Sequence, residues 1–344
     1  MCINKILLII HNFLPISLPE SYLSAKALGN IPKSEVDVLT IKSFSPMTRK
    51  DNSLDSYVKE NFNRVTIIPS PKWYQKLPFH RLRFFFSIPD EYLWLNFLYK
   101  PYFSTIKNYD CIITWSTYHS SHLVGYSIKK KFPNILWIAH LSDPWVDNPF
   151  YNYNNFTKKI NQYFERKVFK KADAITLTSS NTKDLIMQKY PSSIREKTNV
   201  IPHCYDNKLF KFNNKKNKRI TFSYLGNFYG KRTPEPLLKA IDQIKTQNPK
   251  LLNEIFFNFY GSQDEISQDI IDKFNFSEKL VKFNSPVSYI ESLEKMQQSD
   301  ILLIIDAAFE KSVFLPSKLI DYLGSKTPIL GISPDGTTKD LLKN

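Results

Sequence analysis

Three short stretches of this 344-residue sequence combine charged or hydrogen-bonding side chains with residues that let a backbone turn tightly. The first is Tyr224-Leu225-Gly226-Asn227-Phe228-Tyr229-Gly230-Lys231-Arg232-Thr233-Pro234. An apolar run ends at Gly226, and a helix is expected after Thr233 as its N-cap, with Pro234 at the first helical position. The two glycines permit close backbone approach. Lys231 and Arg232 put positive charge beside a helix N-terminus, a combination that suits a diphosphate. The pattern is neither a P-loop nor the Gly-x-Gly-x-x-Gly turn, and a plain strand-helix turn with solvated cations accounts for it about as well. The second stretch is Phe314-Leu315-Pro316-Ser317-Lys318-Leu319-Ile320-Asp321-Tyr322-Leu323-Gly324. Pro316 and Ser317 mark a helix start, so Ser317, Lys318 and Leu319 present free N–H groups and Lys318 adds a counter-charge for phosphate. Asp321 falls one turn in on the face of Ser317, where a carboxylate can accept from two vicinal ribose hydroxyls. A capped amphipathic helix with a Lys318–Asp321 ion pair is the structural alternative. The third is His140-Leu141-Ser142-Asp143-Pro144-Trp145, following the apolar run Ile135–Ala139. There His140 and Asp143 can act in acid–base chemistry or bind sugar hydroxyls, or simply cap a loop.

These residues need elements that hold them at a strand end. Lys5–Ile10 is a continuous apolar run of strand length, followed by a loop with Pro15 and Pro19, a helical pattern through Tyr22, Ala25 and Leu28, and a second strand at Val36–Ile41. The rhythm continues through Val65–Ile68, Asp110–Thr114, a helix near His119–Phe132, Ile135–Ala139 and Ala174–Thr178. A second series starts from Asn199–Ile201 and a polar stretch, Lys211–Arg219, that reads as a linker or loop. It runs through Ile220–Leu225, a helix Pro234–Gln247, Ile255–Tyr260, Val281–Phe283, a helix Ile290–Gln298, Ile301–Ile305, a helix Pro316–Leu323 and Pro328–Ile332. Alternating strands and helices predict two doubly wound α/β domains of Rossmann type, 1–200 and 201–344, with parallel sheets facing a cleft. Ligands of such sheets bind beyond the carboxyl ends of the strands.

Composition narrows the function. The length fits two domains, and 42% hydrophobic residues support packed cores. Three cysteines without a Cys-x-x-Cys, and six histidines not grouped with carboxylates, predict neither a disulfide scaffold nor a metal site. No apolar run approaches the roughly 20 residues of a membrane helix. Residues 1–10 lack a cleavage signal, so a cytoplasmic protein is expected. Residues 1–200 hold 27 Lys and Arg against 15 Asp and Glu, most of the formal +15 of the whole chain. That excess calls for an anionic partner, or merely keeps the protein soluble. Lys72–Phe103 carries twelve aromatics and five Lys or Arg. It can dock on an anionic membrane surface or pack on the first domain; a nucleic-acid partner, resting on charge alone, is not expected.

Taken in order, these stretches resemble the GT-B glycosyltransferases of family 4, which are retaining and use nucleotide sugars. The resemblance spans nearly the whole chain. KILLIIHNFLP is similar to the opening strand and loop, YDCIITWSTYHSSHLVGYSIKKKFPNILWIAHLSDPW to the segment ending in an acidic loop, and FERKVFKKADAITLTSSNTKDLI with NVIPHCYD to the interdomain stretch. YLGNFYGKRTPEPLLKAI resembles the donor-phosphate strand and helix, and FLPSKLIDYLGSKTPIL the nucleotide-binding helix.

The resemblance implies a hexosyltransferase that takes a UDP- or GDP-sugar and builds a cell-surface glycan on a saccharide or lipid-linked saccharide acceptor. Gly226, Asn227, Lys231, Arg232, Ser317, Lys318, Leu319 and Asp321 would bind the nucleotide sugar, with Asp321 as the second acid of the family's Glu-x7-Glu signature. His140 and Asp143 would lie at the acceptor side as the catalytic pair, without metal or cofactor. The sequence departs from the family at Val313, where the first Glu is expected (Glu310 is near), at Cys204 in place of Gly, and at Ser17-Leu18-Pro19-Glu20 in place of Gly-Gly. The crossover helix that relatives carry beyond the last strand is not expected before Asn344. A non-catalytic partner subunit that binds a nucleotide sugar or another transferase is the alternative.

Overall fold

The computed structural model describes residues 3–42, 49–71, 88–90, 92–211 and 217–343. Most of the basic aromatic segment, 72–87 and 91, and residues 212–216 of the polar stretch lie outside the described residues. The chain divides into two compact units, Met1–Pro202 and His203–Asn344.

The first unit is built on β1 (Ile6–Ile9), β2 (Val36–Ile41), β3 (Arg64–Ile68), β4 (Cys111–Ser116), β5 (Leu136–Leu141), β6 (Ala174–Leu177) and β7 (Thr198–Val200). All pair in parallel, in the order β3-β2-β1-β4-β5-β6-β7. Every residue of β1 and β2 is buried; β1 accordingly reads as an unbroken apolar run, whereas β2 carries buried Asp37 and Thr40 among its apolar residues. Its helices longer than about one turn are α1 (Pro19–Leu28), α2 (Asp55–Asn61), α3 (Ser120–Lys131), α4 (Asn155–Lys171) and α5 (Ser180–Met187). Trp137, Trp145, Tyr99 and Phe169 form the largest buried side chains of its core.

In the second unit β8 (Ile220–Leu225), β9 (Ile255–Tyr260), β10 (Val281–Asn284), β11 (Ile301–Ile305) and β13 (Ile329–Ile332) form a parallel sheet ordered β10-β9-β8-β11-β13. Two short strands, β12 (Lys311–Ser312) and β14 (Asp335–Gly336), pair beside it. Its helices are α6 (Glu235–Gln247), α7 (Glu265–Phe274), α8 (Tyr289–Gln297), α9 (Ser317–Ser325) and α10 (Thr337–Lys343). In each sheet the strand order reverses at one place, between β1 and β4 and between β8 and β11. Helices leave to opposite faces there, opening a crevice at the carboxyl ends.

Several expectations move. Asn199–Ile201, expected to open the second series, becomes β7, hydrogen-bonded to β6 as the last strand of the first sheet. His140 is the penultimate residue of β5 rather than lying beyond it. The helix expected to begin with Thr233 as N-cap starts at Glu235, with Pro234 before it and no capping side chain. Helix α4 escapes apolar periodicity because its inward line, Thr157, Asn161, Glu165 and Val168, is mostly polar. Of the aromatic segment's described part, Tyr92 and Tyr99 are core residues, whereas Trp94 and Phe97 are about half exposed.

Candidate functional site

The crevice between β8 and β11 gathers most of the residues singled out in the second half. Strand β8 is followed directly by Gly226 (φ 142°) and β9 by Gly261 (φ 153°), backbone conformations that disfavour any side chain. A Cβ on Gly226 would sit 2.3 Å from the Lys318 amine, and one on Gly261 would sit 2.0 Å from the Gly226 carbonyl oxygen. The two glycines therefore let adjacent strand ends close up and let Lys318 pass across them.

Lys318 is held there by its own helix. One turn on, the Tyr322 hydroxyl accepts the Leu225 N–H at 2.8 Å, fixing α9 to the last residue of β8. Lys318, at i−4 on the same face, donates to the Tyr224 hydroxyl at 2.7 Å. Burial, then the nearby Arg232, hold its amine well below the ordinary ammonium range, against the pull of Asp306. No side chain caps α9. The Leu319 N–H turns back on the Pro316 carbonyl at 3.0 Å and its side chain enters the core, which leaves the Ser317 and Lys318 amides as first-turn donors.

Arg232 lies on a two-residue turn closed by reciprocal hydrogen bonds between Tyr229 and Arg232, with Gly230 at φ 56°. Its guanidinium reaches Asp306 at 3.3 Å and the Tyr229 hydroxyl at 3.0 Å. Asp306, immediately after β11, has a fully buried side chain that also accepts the Ala307 N–H and the Thr338 hydroxyl, at 3.0 and 2.9 Å. Lys231, at the turn tip, is exposed, with its amine 5.0 Å from the Phe309 ring centre. Asn227 has a tying role: its side-chain oxygen accepts the Ser262 N–H at 2.9 Å. Asp321 is buried on α9 and accepts from the Tyr289 hydroxyl at 3.0 Å.

Asp306 escaped the sequence reading; its only signal was an acid closing the apolar run of β11. It balances one of the two cations. Among the described residues the crevice thus sets Arg232, Lys318 and the open N-terminus of α9 around one carboxylate that acts on both cations, Asp306, an arrangement that favours an added anion.

In the first unit, Trp115, His140 and Thr176 sit opposite one another on β4, β5 and β6. The His140 ring packs on Trp115 with centres 3.7 Å apart, and its Nδ1 is 2.9 Å from the Thr176 hydroxyl. Glu20, in the first turn of α1, accepts both the Trp115 indole N–H and the Ser142 hydroxyl at 2.6 Å. Burial pushes its carboxyl up to about 8, and the Asp143 charge adds to this. His140, Asp143 and the unforeseen Glu20 thus form one cluster at the carboxyl edge. The signal for Glu20 was an acid directly after a Pro at a helix start.

The folded state binds the Glu20 proton more tightly than the unfolded chain does. Its contribution to stability is therefore full below about 4.5 and is lost as pH rises through about 8. Glu20→Gln should abolish that part of the decline between these two values. Thermal melting of both proteins across this window checks it; parallel curves would remove the perturbed carboxyl from the account.

Nearby, His11 bridges the Tyr99 hydroxyl and the Ser120 hydroxyl, each at 2.9 Å. Asp90 accepts the Ser120 N–H at 2.8 Å and its hydroxyl at 2.5 Å, occupying the N-terminus of α3. Burial takes His11 down to about 3, so it serves as a neutral bridge.

Residues 54–209 match Glycosyltransferase Family 4. No curated protein sequence matches the chain. Among solved structures, the chain resembles Anabaena HepE in complex with UDP and glucose at 13% identity and TM-score 0.64, covering 97% of this chain and 82% of that one. A glycosyltransferase from Rickettsia africae is similar at 15% identity and TM-score 0.61, with 98% and 81% covered. S. aureus TarM, in a complex that includes UDP, gives 8% and 0.61, with 99% and 88% covered. A UDP-N-acetylglucosamine 2-epimerase is also similar, at 11% and 0.56, so these likenesses establish the two-domain GT-B architecture and leave the chemistry to the site.

Proposed function

We propose that this chain, a glycosyltransferase of family 4 across residues 54–209 with the GT-B fold throughout, moves a hexose from a UDP- or GDP-sugar to a growing cell-surface glycan with retention. The observation that carries the donor reading is the unbalanced charge at the crevice between β8 and β11. A donor diphosphate supplies such an anion. Its oxygens take hydrogen bonds from the Ser317 and Lys318 amides and the charge of Lys318 and Arg232, while Lys231 adds charge from the turn. Gly226 and Asn227 give the backbone approach, and Asp321 receives the ribose hydroxyls.

As the bond between sugar and diphosphate breaks, negative charge grows on the departing phosphate oxygen. Cations and amides already aimed at that position stabilise it without reorganisation, which is commonly the largest catalytic term. The acceptor hydroxyl then attacks from the same face, and its proton passes to the departing phosphate. No metal enters this reading.

Residues 1–200 take the acceptor and 201–344 the donor, with His140 and Asp143 holding sugar hydroxyls beside Glu20. The acceptor is a saccharide, carried on a lipid in the fullest form of this reading, with the enzyme peripheral on the inner face of the cytoplasmic membrane and the Lys72–Phe103 segment against it. The uridine diphosphate named in the HepE and TarM structures supports UDP as the first nucleotide to try.

Thermal shift against UDP, GDP, ADP, CMP and their sugars tests the donor site. One nucleoside diphosphate is expected to raise the melting temperature, and Asp321→Ala to lose the effect. A shift with none of them would overturn the donor assignment.

A further inference from the structure

We propose that the outer face of helix α4 is a docking surface for an anionic lipid bilayer. The inference rests on this face alone and needs neither the donor reading nor the Lys72–Phe103 segment.

Phe156, Lys159, Tyr163, Arg166 and Lys170 follow at spacings of three, four, three and four residues, which aligns them in one stripe along the helix. All five are exposed, Phe156 by 66% and Tyr163 by 54% of their surface. Buried Thr157, Asn161, Glu165 and Val168 mark the opposite side, so the stripe faces away from the sheet. Lys167 extends along it, its amine 4.3 Å from the Tyr163 ring centre and 5.7 Å from that of Tyr126 on α3.

Among the described residues no carboxylate pairs with a cation of this face. Carboxylates close by in sequence are already engaged: Asp147 and buried Glu165 with Lys189, and Asp173 with Lys129. A large exposed Phe and a Tyr set among cations, with no acid between them, is not what solubility requires. It is what a headgroup layer receives: rings enter at the depth of the glycerol backbone while the lysine and arginine ends stay among phosphates. The cations supply the charge complementarity to acidic lipids, and the two rings supply the apolar area that a purely electrostatic surface lacks.

The test is flotation of the full chain with vesicles of phosphatidylcholine and phosphatidylglycerol, against phosphatidylcholine alone. The chain should bind the mixed vesicles only, and less as salt is raised. Reversing three charges with Lys159→Glu, Arg166→Glu and Lys170→Glu should weaken binding by on the order of 100-fold, since each cation near such a surface is worth roughly a fivefold change. Phe156→Ser with Tyr163→Ser, charges kept, should also weaken it. Unchanged melting curves show that both variants fold.

Wild-type binding that survives both variants would overturn the proposal and leave Lys72–Phe103 as the docking segment. Equal binding to neutral vesicles would overturn it too, as would displacement from vesicles by a short oligonucleotide at matching concentration. Absence of any vesicle binding would remove both membrane readings while leaving the donor site intact.

Discussion

Lys318→Met is expected to lower kcat/KM for the donor sugar by about 100- to 1000-fold, the usual effect of deleting one preorganised donor to developing charge. Thermal stability should not fall with it. The Lys318 amine is a burden to the folded state: it lies in the crevice with burial and Arg232 opposing its charge, and one phenol hydroxyl as its hydrogen-bond acceptor. Methionine keeps the stem's packing and removes that opposition.

The same physics predicts a proton count. A diphosphate beside the amine raises its affinity for a proton, so above the depressed value the wild type takes up a proton on binding. Affinity then weakens as pH rises. Calorimetry in buffers of different ionisation enthalpy should register that uptake in the wild type and not in Lys318→Met. Unchanged turnover in the variant would sink the assignment of Lys318 to the leaving group.

Arg232→Ala should cost stability as well as donor binding. Removing the guanidinium deprives the fully buried Asp306 carboxylate of its ion-pair partner and leaves it the Ala307 N–H and Thr338 hydroxyl as hydrogen-bond donors. Breaking one side of a buried pair costs about 3 kcal/mol or more, largely the penalty of the charge left behind. Adding Asp306→Asn should recover most of that loss, because the neutral amide needs no counter-ion. Donor affinity should stay lost in both proteins, because the cation is missing from each. Denaturant melts and nucleotide titrations of the single and double variants separate the roles. Donor affinity that returned with stability in the double variant would reduce Arg232 to a structural partner of Asp306.

Much of the fold was legible because parallel strands buried on both faces need continuous apolar residues. Ile6–Ile9 and Ile301–Ile305 stand out from their neighbours for that reason alone. The turns at Gly226 and Pro316 were legible because few residue types tolerate those backbone conformations or start a helix there. Helix α4 was not legible, since polar residues fill its inward line and hide the period. Strand β7 was not either, because a three-residue strand at a sheet edge declares itself only through its hydrogen bonds to β6.

The candidate site divides in the same way. Sequence by itself determined that Gly226, Lys231, Arg232, Ser317, Lys318 and Asp321 follow strand ends, where glycine, cations and helix starts suit an anion. It also determined the uneven charge of the first 200 residues. Only the tertiary structure decided which groups these residues meet. Asp306 lies 74 residues from Arg232 along the chain, and Tyr224 lies 94 from Lys318. Glu20 meets Trp115 and Ser142 across separations of 95 and 122 residues. Local spacing carries no trace of such meetings. They arise when strand order brings β8 beside β11 and β1 beside β4, and their consequences are electrostatic. Lys318 holds its proton less tightly, and Glu20 more tightly, because of what the fold removes from water around them.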